Sequence, residues 1–161
     1  MVAICRICVP WCCFNESGYG FAFVLTGGGL GSFHPRLNTI NTCAYVKVIA
    51  VSNTGKIFII WHAANLTYTT SDNGTSWANP KPIGRDYGGD QPASISANSS
   101  GKVAVAFARP GGNPFDIVVG IWNGNNFDLE VVTRGNMAEP SITITQGGTY
   151  VVAWRQVDGG L

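Results

Sequence analysis

The chain has 161 residues, a formal net charge of +1 and 12% charged residues, about half the usual share in soluble domains. It has no basic stripe and no charged tail, so it lacks the features of a nucleic-acid-binding protein. It also lacks an apolar run long enough to span a membrane. No nucleotide-binding or hydrolase motif is present, and we expect no cofactor. Frequent serine, threonine, asparagine and glycine favour a secreted or cell-surface β-protein.

Residues 1–34 differ in composition from the rest of the chain. Four of the five cysteines lie within the first 13 residues, at Cys5, Cys8, Cys12 and Cys13, and the fifth is Cys43. The spacing of Cys5 and Cys8 would suit a zinc site, but His34 is the only histidine near the cluster. We therefore expect no metal, and we treat 1–34 as an atypical N-terminal segment in which Tyr19–Leu25 reads as a strand.

A repeat runs through residues 44–161. Three copies align on glycines that are 46 and 47 residues apart, Gly55, Gly101 and Gly148. An aromatic residue follows each glycine by six positions, at Trp61, Phe107 and Trp154. A fixed period of this length indicates a repeat architecture, in which each copy is one supersecondary unit that buries its apolar faces against its neighbours.

Each copy begins with two predicted strands joined by a polar turn that contains the glycine. The second strands are nearly continuous apolar runs rich in β-branched residues, Ile57–Trp61, Val103–Phe107 and Tyr150–Trp154. Runs of this kind predict strands that are buried on both faces. Two further strands follow in each complete copy, around Leu66–Thr70 and Pro80–Ile83 in the first one. Each complete copy is therefore predicted to form one four-stranded antiparallel sheet.

The octapeptide Thr70-Ser71-Asp72-Asn73-Gly74-Thr75-Ser76-Trp77 lies between the last two predicted strands of the first copy. We expect the Asp72 carboxylate to accept hydrogen bonds from backbone N–H groups one to three residues further on. Gly74 can adopt a positive φ without strain, and Trp77 buries a large ring that anchors the turn. The second copy keeps the glycine and an aromatic residue fifty positions later, but not the aspartate.

This octapeptide fits the pattern [ST]-x-D-x-G-x-[ST]-W and resembles the Asp-box, or BNR repeat, of the sialidase-like β-propellers. The resemblance implies an all-β fold, a fragment of a β-propeller with about two and a half four-stranded antiparallel blades. The propeller portion would span residues 35–161, with blades at approximately 44–86, 90–135 and an incomplete 138–161. The missing blades would come from a longer chain, which we favour, or from self-association.

Charged residues of the repeat collect in the loops predicted at one end of the propeller. Those loops join one blade to the next, or the second strand of a blade to its third. We expect substrate-binding residues there, and the candidates are Arg85, Asp86, Asp90, Arg109 and Arg155. The octapeptide falls at the opposite end, so a structural rather than catalytic role is predicted for Thr70, Asp72, Gly74 and Trp77.

Sialidases of this kind cleave terminal sialic acids with three arginines on the substrate carboxylate, a tyrosine–glutamate nucleophile pair and an aspartate acid/base. The first of those arginines belongs to an Arg-Ile-Pro triplet. In this sequence the triplets Asp90-Gln91-Pro92 and Ala138-Glu139-Pro140 keep the proline without the arginine. No catalytic residue is therefore assigned, and the sequence leaves open whether the chain belongs to an enzyme.

Two functions remain open from the sequence. The first is part of a sialidase-like propeller that hydrolyses or binds glycans, with an incomplete catalytic set in this chain; if it is an enzyme, it is an exo-sialidase-like glycoside hydrolase. The second is a non-enzymatic Asp-box propeller that serves as a glycan- or protein-binding scaffold. The expected partner is accordingly a carbohydrate, including sialylated glycans, or a protein. Convergent carboxylates and arginines would favour the first function, and aromatic shelves between blades would favour the second.

Overall fold

The computed structural model describes residues 22–26, 29–33, 45–62, 65–84, 92–110 and 115–157. All regular elements in these ranges are β-strands, which confirms the all-β prediction. The strands are β1 Ala22–Thr26, β2 Gly29–Phe33, β3 Tyr45–Val51, β4 Ile57–His62, β5 Leu66–Ser71, β6 Lys81–Gly84, β7 Ser94–Ala97, β8 Val103–Pro110, β9 Phe115–Trp122, β10 Phe127–Thr133, β11 Met137–Ile144 and β12 Tyr150–Gln156.

The strands form four antiparallel sheets. β3–β6 and β7–β10 are four-stranded meanders, in which each strand pairs with the next one along the chain. β1 pairs with β2, and β11 pairs with β12, in two smaller sheets. The two meanders match the first two repeats, and β11–β12 matches the first half of the third. The three predicted second strands therefore lie in β4, β8 and β12 of separate sheets, as expected.

The N-terminal segment is described only in part. The described residues of the predicted strand Tyr19–Leu25 lie in β1. All five cysteines lie outside the described residues, so the expectation that they hold no metal stays a prediction.

The turn between the first and second strands has the same conformation in all three repeats. The glycines Gly55, Gly101 and Gly148 have φ angles of 82°, 83° and 85°, in the left-handed region that glycine adopts without strain. The same two backbone hydrogen bonds close each turn; in the second copy, Asn98 N–H donates to Lys102 O over 3.0 Å and Gly101 N–H donates to Asn98 O over 3.1 Å. We call the end of the sheets that carries these turns the turn end, and the opposite end, where β8 and β12 finish, the loop end.

Strand β8 lies at the centre of the molecule, because both of its faces are buried. Side chains alternate between the two faces of a strand. Val103, Val105 and Phe107 share one core with residues of the first meander, including Phe58 and Ile60. Ala104 and Ala106 lie on the other face, in a second core with Ile142 and Ile144 of β11. Large side chains on one face and alanines on the other let β8 pack against two sheets at once.

Four aromatic rings join the two meanders near the turn end. Phe58 and Tyr68 of the first sheet contact Trp122 and Phe127 of the second, with ring centroids between 5.1 and 6.2 Å apart and interplanar angles between 67° and 88°. These are edge-to-face contacts, the arrangement that the ring quadrupoles favour. The Tyr68 hydroxyl donates to Asn125 O over 3.0 Å, so the ring is buried while its polar atom stays bonded.

The first strands of successive sheets lie close together. β3 approaches β7, and β7 approaches β11. β11 is an edge strand of its own sheet, and two serine hydroxyls of β7 give its backbone donors partners. Ser94 Oγ accepts from Ile142 N–H over 3.2 Å, and Ser96 Oγ accepts from Ile144 N–H over 3.1 Å. The second and third sheets are thus joined along their first strands by hydrogen bonds from backbone N–H groups to serine side chains.

Strand β12 differs from the prediction that every second strand is buried on both faces. Val151 is 49% exposed and Trp154 is 40% exposed, whereas Val105 and Phe107 of β8 are fully buried. The reason is that β8 lies between two sheets, while among the described residues no further sheet packs on β12. An exposed apolar face is what a repeat architecture predicts for a sheet without its next neighbour.

Phe107→Ala tests the burial of β8. Phe107 is 1% exposed and lies in the core between the two meanders, so its truncation should lower the free energy of unfolding by about 3–5 kcal/mol. Val132→Ala, at an exposed position of β10, is the control and should change that free energy by no more than about 0.5 kcal/mol. Denaturant unfolding of both variants measures the two values, and equal effects would contradict the packing of one sheet on the other.

Candidate functional site

Two of the predicted substrate-binding residues lie at the loop end of adjacent sheets. Arg109 is the last residue but one of β8, and Arg155 is the last but one of β12. The other candidates lie outside the described residues: Arg85, Asp86 and Asp90. The described part of the loop end therefore contains two of the five candidates, Arg109 and Arg155.

The connection between β10 and β11 ties these two positions together. Phe115 N–H, at the start of β9, donates to Gly135 O over 3.1 Å. Val157 N–H, just after β12, donates to Asn136 O over 2.8 Å. One short segment therefore fixes the loop ends of both sheets through backbone hydrogen bonds.

The first ion pair at the loop end joins Arg109 to Asp116. The two residues face each other across β8 and β9, with 3.7 Å between Arg109 Nη2 and Asp116 Oδ2. Asp116 is 3% exposed, whereas about a third of the Arg109 side chain is exposed. A buried carboxylate without a nearby cation is costly, so Arg109 neutralises Asp116 from the solvent side. At this distance the contact is an ion pair and not a hydrogen bond, and the guanidinium remains partly accessible to solvent.

The second ion pair joins Arg155 to Glu139 at the surface. Arg155 Nε donates to Glu139 Oε2 over 3.1 Å, and Nη2 donates to Oε1 over 3.0 Å. Such two-bond pairs orient the guanidinium plane. Both side chains are more than half exposed, so the pair contributes only about 0–1 kcal/mol to stability. Among the described residues, the pair accounts for two of the five N–H donors of the arginine.

A β-bulge aims Glu139 at Arg155. Ala138 and Ser141 pair with Arg155 and Ala153, so the two residues between them lie opposite a single residue of β12. Glu139 has a φ of 54°, a conformation that costs residues other than glycine of the order of 1–3 kcal/mol. Bulges re-aim side chains, and here the bulge brings a carboxylate to the guanidinium. Glu139 is therefore a candidate site residue beside Arg155.

The described part of the loop end offers cations for an anion rather than a pair of catalytic carboxylates. Glycoside hydrolysis needs an acid/base and a nucleophile or activated water at a fixed separation. Asp116 is buried against Arg109, and Glu139 is held by Arg155. The arrangement can therefore bind a carboxylate, sulfate or phosphate, and the described residues do not by themselves supply a cleavage mechanism.

The octapeptide turn is built differently from the prediction. Asp72 does not accept the backbone hydrogen bonds of the turn; its side chain is 77% exposed and pairs with Lys56 Nζ at 2.6 Å. Ser71 Oγ accepts instead from Gly74 N–H over 2.8 Å. Asn73 Oδ1 accepts from the N–H groups two and three residues further on, over 2.9 and 2.8 Å. The reason is alternation along the strand: Ser71, the last residue of β5, is buried, and Asp72 faces solvent.

The remaining octapeptide residues make contacts within the turn. Gly74 has a φ of 73°. Trp77 is half-buried, and its Nε1 donates to Gly74 O over 3.3 Å. Thr70 O accepts from Ala78 N–H over 2.9 Å, which closes the base of the turn. Thr70, Gly74 and Trp77 therefore make the contacts that hold the turn together, while the Asp72 side chain pairs with Lys56 outside the turn.

An asparagine cap, which the sequence analysis missed, recurs in the second sheet. Asn123 Oδ1 accepts from the N–H groups two and three residues further on, over 3.0 and 2.9 Å, as Asn73 does in the first sheet. Each asparagine precedes a glycine with positive φ, Gly74 at 73° and Gly124 at 103°. The signal in the sequence is an Asn-Gly dipeptide, a strong turn former, repeated fifty residues apart.

The chain matches no protein-family model, no curated protein and no solved structure. The resemblance to the sialidase-like propellers therefore stands on the octapeptide and the repeat alone. In the described ranges no helix is long and apolar enough to cross a membrane. The same ranges hold no cluster of three or more histidine, cysteine, aspartate or glutamate side chains that could hold a metal ion.

Alanine substitutions in the octapeptide separate the roles of its residues. Asn73→Ala removes the acceptor of two backbone N–H groups and should lower the free energy of unfolding by about 1–2 kcal/mol. Asp72→Ala breaks only the exposed pair with Lys56 and should cost about 0–1 kcal/mol. Unfolding of the two variants under the same conditions measures the difference. A larger loss of stability for Asp72→Ala than for Asn73→Ala would show that the aspartate, and not the asparagine, accepts the backbone hydrogen bonds of the turn.

Tyr68 gives the fold a sensitivity to alkaline pH. Burial raises the pKa of its phenol above the ordinary value of 10.0, because the phenolate would lose its hydration. As the pH rises, the Tyr68 phenol loses its proton in the unfolded chain at a lower pH than in the folded chain. The contribution of the protonated Tyr68 to the free energy of unfolding is therefore complete below pH 10 and is lost as the pH rises further. The stability difference between the wild type and Tyr68→Phe should therefore shift in favour of the variant from about pH 9 to about pH 11. A pH-independent difference would contradict the raised pKa.

Proposed function

We propose that this chain forms consecutive blades of a sialidase-like β-propeller that handles anionic glycans at its loop end. The observation that carries the proposal is the position of Arg109 and Arg155 at the same end of adjacent sheets, each paired with a carboxylate. Guanidinium groups bind a carboxylate through short, charge-assisted hydrogen bonds. The substrate class would accordingly be a sugar that carries a carboxylate, of which sialic acid is the case suggested by the octapeptide.

The packing of the sheets supports the propeller arrangement. Propeller blades are four-stranded sheets around a central axis. The first strands of successive sheets, β3 to β7 and β7 to β11, lie side by side, whereas β6 and β10 make fewer backbone contacts and meet where the Leu129 side chain packs at Gly84. Closer packing along the first strands than along the fourth is what sheets arranged around an axis beside their first strands would show. The spacing of 46 and 47 residues also suits one blade per repeat.

Among the described residues the geometry favours binding over cleavage. In a closed ring the groups for glycoside hydrolysis would come from several blades, and this chain would supply cations for the acidic sugar. A hydrolase would need a further carboxylate pair from elsewhere in the ring. We therefore expect the 161-residue chain to release no product from a fluorogenic sialoside, and measurable turnover would contradict this division of roles.

A non-enzymatic scaffold is the second candidate. A specific observation favours it, an aromatic-lined cleft between the two meanders at the turn end. A scaffold of this kind binds through surfaces between blades and needs no convergent groups at the loop end. Under this candidate, ligand affinity would depend on the turn end and not on the two arginines.

Substitution of the two arginines tests the proposal. Arg155→Ala removes an exposed cation, and Arg109→Lys keeps a charge beside the buried Asp116 while it removes the planar guanidinium. In the double variant, binding of 3′-sialyllactose should weaken about tenfold or more, which corresponds to about 1.4 kcal/mol. Binding of lactose should change by less than about twofold, since lactose offers no carboxylate. Titration calorimetry with both sugars provides the comparison.

Lys102→Ala is the control, because Lys102 is a cation at the turn end of β8, away from the arginines. It should leave both affinities unchanged. Equal loss of both sugars in the arginine variant, or no loss of the sialoside, would overturn the anionic-glycan proposal and leave the scaffold as the better candidate.

A further inference from the structure

A second candidate site lies at the turn end, between the octapeptide turn and its counterpart in the second meander. A cleft of about 180 Å³ opens there. Its lining combines cations, aromatic rings and polar side chains, including Lys56, Tyr68, Thr70, Asn79, Lys81 and Trp122. The cleft is at the opposite end of the sheets from Arg109 and Arg155, so it is independent of the site described above.

Lys81 brings a positive charge to this cleft. Its Nζ donates to Asn125 Oδ1 over 3.1 Å and to Asn125 O over 3.3 Å, and it lies 3.5 Å from Asn126 Oδ1. These acceptors are neutral, and no carboxylate pairs with Lys81 among the residues that the structure describes. Lys81 belongs to the first meander and the two asparagines to the second, so the ammonium group is held across the cleft.

Trp122 supplies an apolar wall that is fixed in orientation. Its ring lies roughly perpendicular to those of Phe58 and Tyr68, with centroid distances of 5.2 and 5.7 Å, and it is half-buried along the cleft. A rigid aromatic side chain gives contact area at little cost in conformational entropy. The hydroxyl of Thr70 and the amide of Asn79 lie on the same lining and can bond to ligand hydroxyls.

We infer that this cleft binds one acidic monosaccharide residue, with its carboxylate at Lys81 and its C–H face against Trp122. The volume lies below the ~300–1,000 Å³ of pockets for drug-sized ligands, so it suits a single sugar ring. A neutral sugar would leave the Lys81 charge unused, and an inorganic anion would leave the indole wall unused. A carboxylate on a pyranose ring matches both.

Asp72 modulates this site from its rim. Its carboxylate pairs with Lys56, which lines the cleft, and it is 77% exposed. An exposed pair of this kind is weak, and the Asp72 carboxylate offsets the charge of Lys56, so it lowers the attraction of the cleft for a further carboxylate at Lys81. Removal of the Asp72 charge therefore strengthens the binding of an acidic sugar.

Titration with methyl β-D-glucuronide tests the inference on the indole N–H resonance of Trp122, which the variant Trp122→Phe assigns. The glucuronide should shift this resonance with a dissociation constant on the order of 1 mM, and the neutral methyl β-D-glucoside should bind more weakly. Lys81→Met should weaken the glucuronide about fivefold, and Asp72→Asn should strengthen it about twofold or more. Neither variant should change the affinity of the glucoside.

Lys102→Met is the matched control. Lys102 also donates to a neutral backbone oxygen, that of Gly148 over 3.3 Å, and lies 5.6 Å from the Tyr150 ring centroid, but it does not line the cleft. This variant should leave both affinities unchanged. Arg155→Ala should also leave the Trp122 titration unchanged, so the two sites succeed or fail separately.

Any one of four results would overturn the inference. The first is no shift of the Trp122 resonance up to about 0.1 M glucuronide, a concentration at which a millimolar ligand saturates its site. The second is equal affinity for the glucuronide and the glucoside, and the third is displacement of the glucuronide by equimolar sulfate. The fourth is an unchanged affinity of Lys81→Met for the glucuronide. An unchanged affinity of Asp72→Asn for the glucuronide would overturn only the role given to Asp72.

Discussion

The burial of both faces of β8 is the constraint on which the rest of the structure depends. Its valines and phenylalanine face the first meander and its alanines face β11. A shift of the strand pairing by one residue would turn the large side chains toward β11 and the alanines toward the first meander, and neither core would then be filled correctly. β8 carries Arg109, and its partner β9 carries Asp116 at one end and Trp122 at the other. The same packing therefore positions the ion pair at the loop end and the cleft at the turn end.

Some of this fold can be predicted from the sequence because certain backbone conformations admit only a few residue types. A φ near 83° admits little besides glycine, so Gly55, Gly101 and Gly148 mark one conformation three times. Two-sided burial likewise marks β4 and β8 with continuous apolar runs. β12 shows the limit of this reasoning. Its residues resemble those of β8, but their exposure depends on whether another sheet covers them, and the pattern within a strand carries no information about that neighbour.

The hydrogen bonds and ion pairs of the candidate site were harder to predict, because several residue types can make the same contact. Serine, aspartate and asparagine all accept backbone N–H groups in turns, and the inward position of Ser71 at the end of β5 decides against Asp72. The pairing of Arg109 depends on strand register, and that of Arg155 depends on a bulge. The sequence placed these arginines at one end but gave no sign of their partners.

The two ends of the molecule differ in how their cations are held, and this difference has consequences for recognition. At the loop end a ligand of the proposed kind would have to compete with Asp116 or Glu139, so an acceptor with two oxygens in one plane, which matches the guanidinium fork, would have an advantage over a single charge. At the turn end Lys81 is held by neutral oxygens, and an anion displaces no carboxylate from it. Holding an exposed ammonium group in place adds little to stability and restricts a flexible side chain. Lys102 is held in the same way and also lies beside an aromatic ring, that of Tyr150, but it does not line this cleft. The inferred site therefore depends on the cleft between the two meanders and not on the lysine itself.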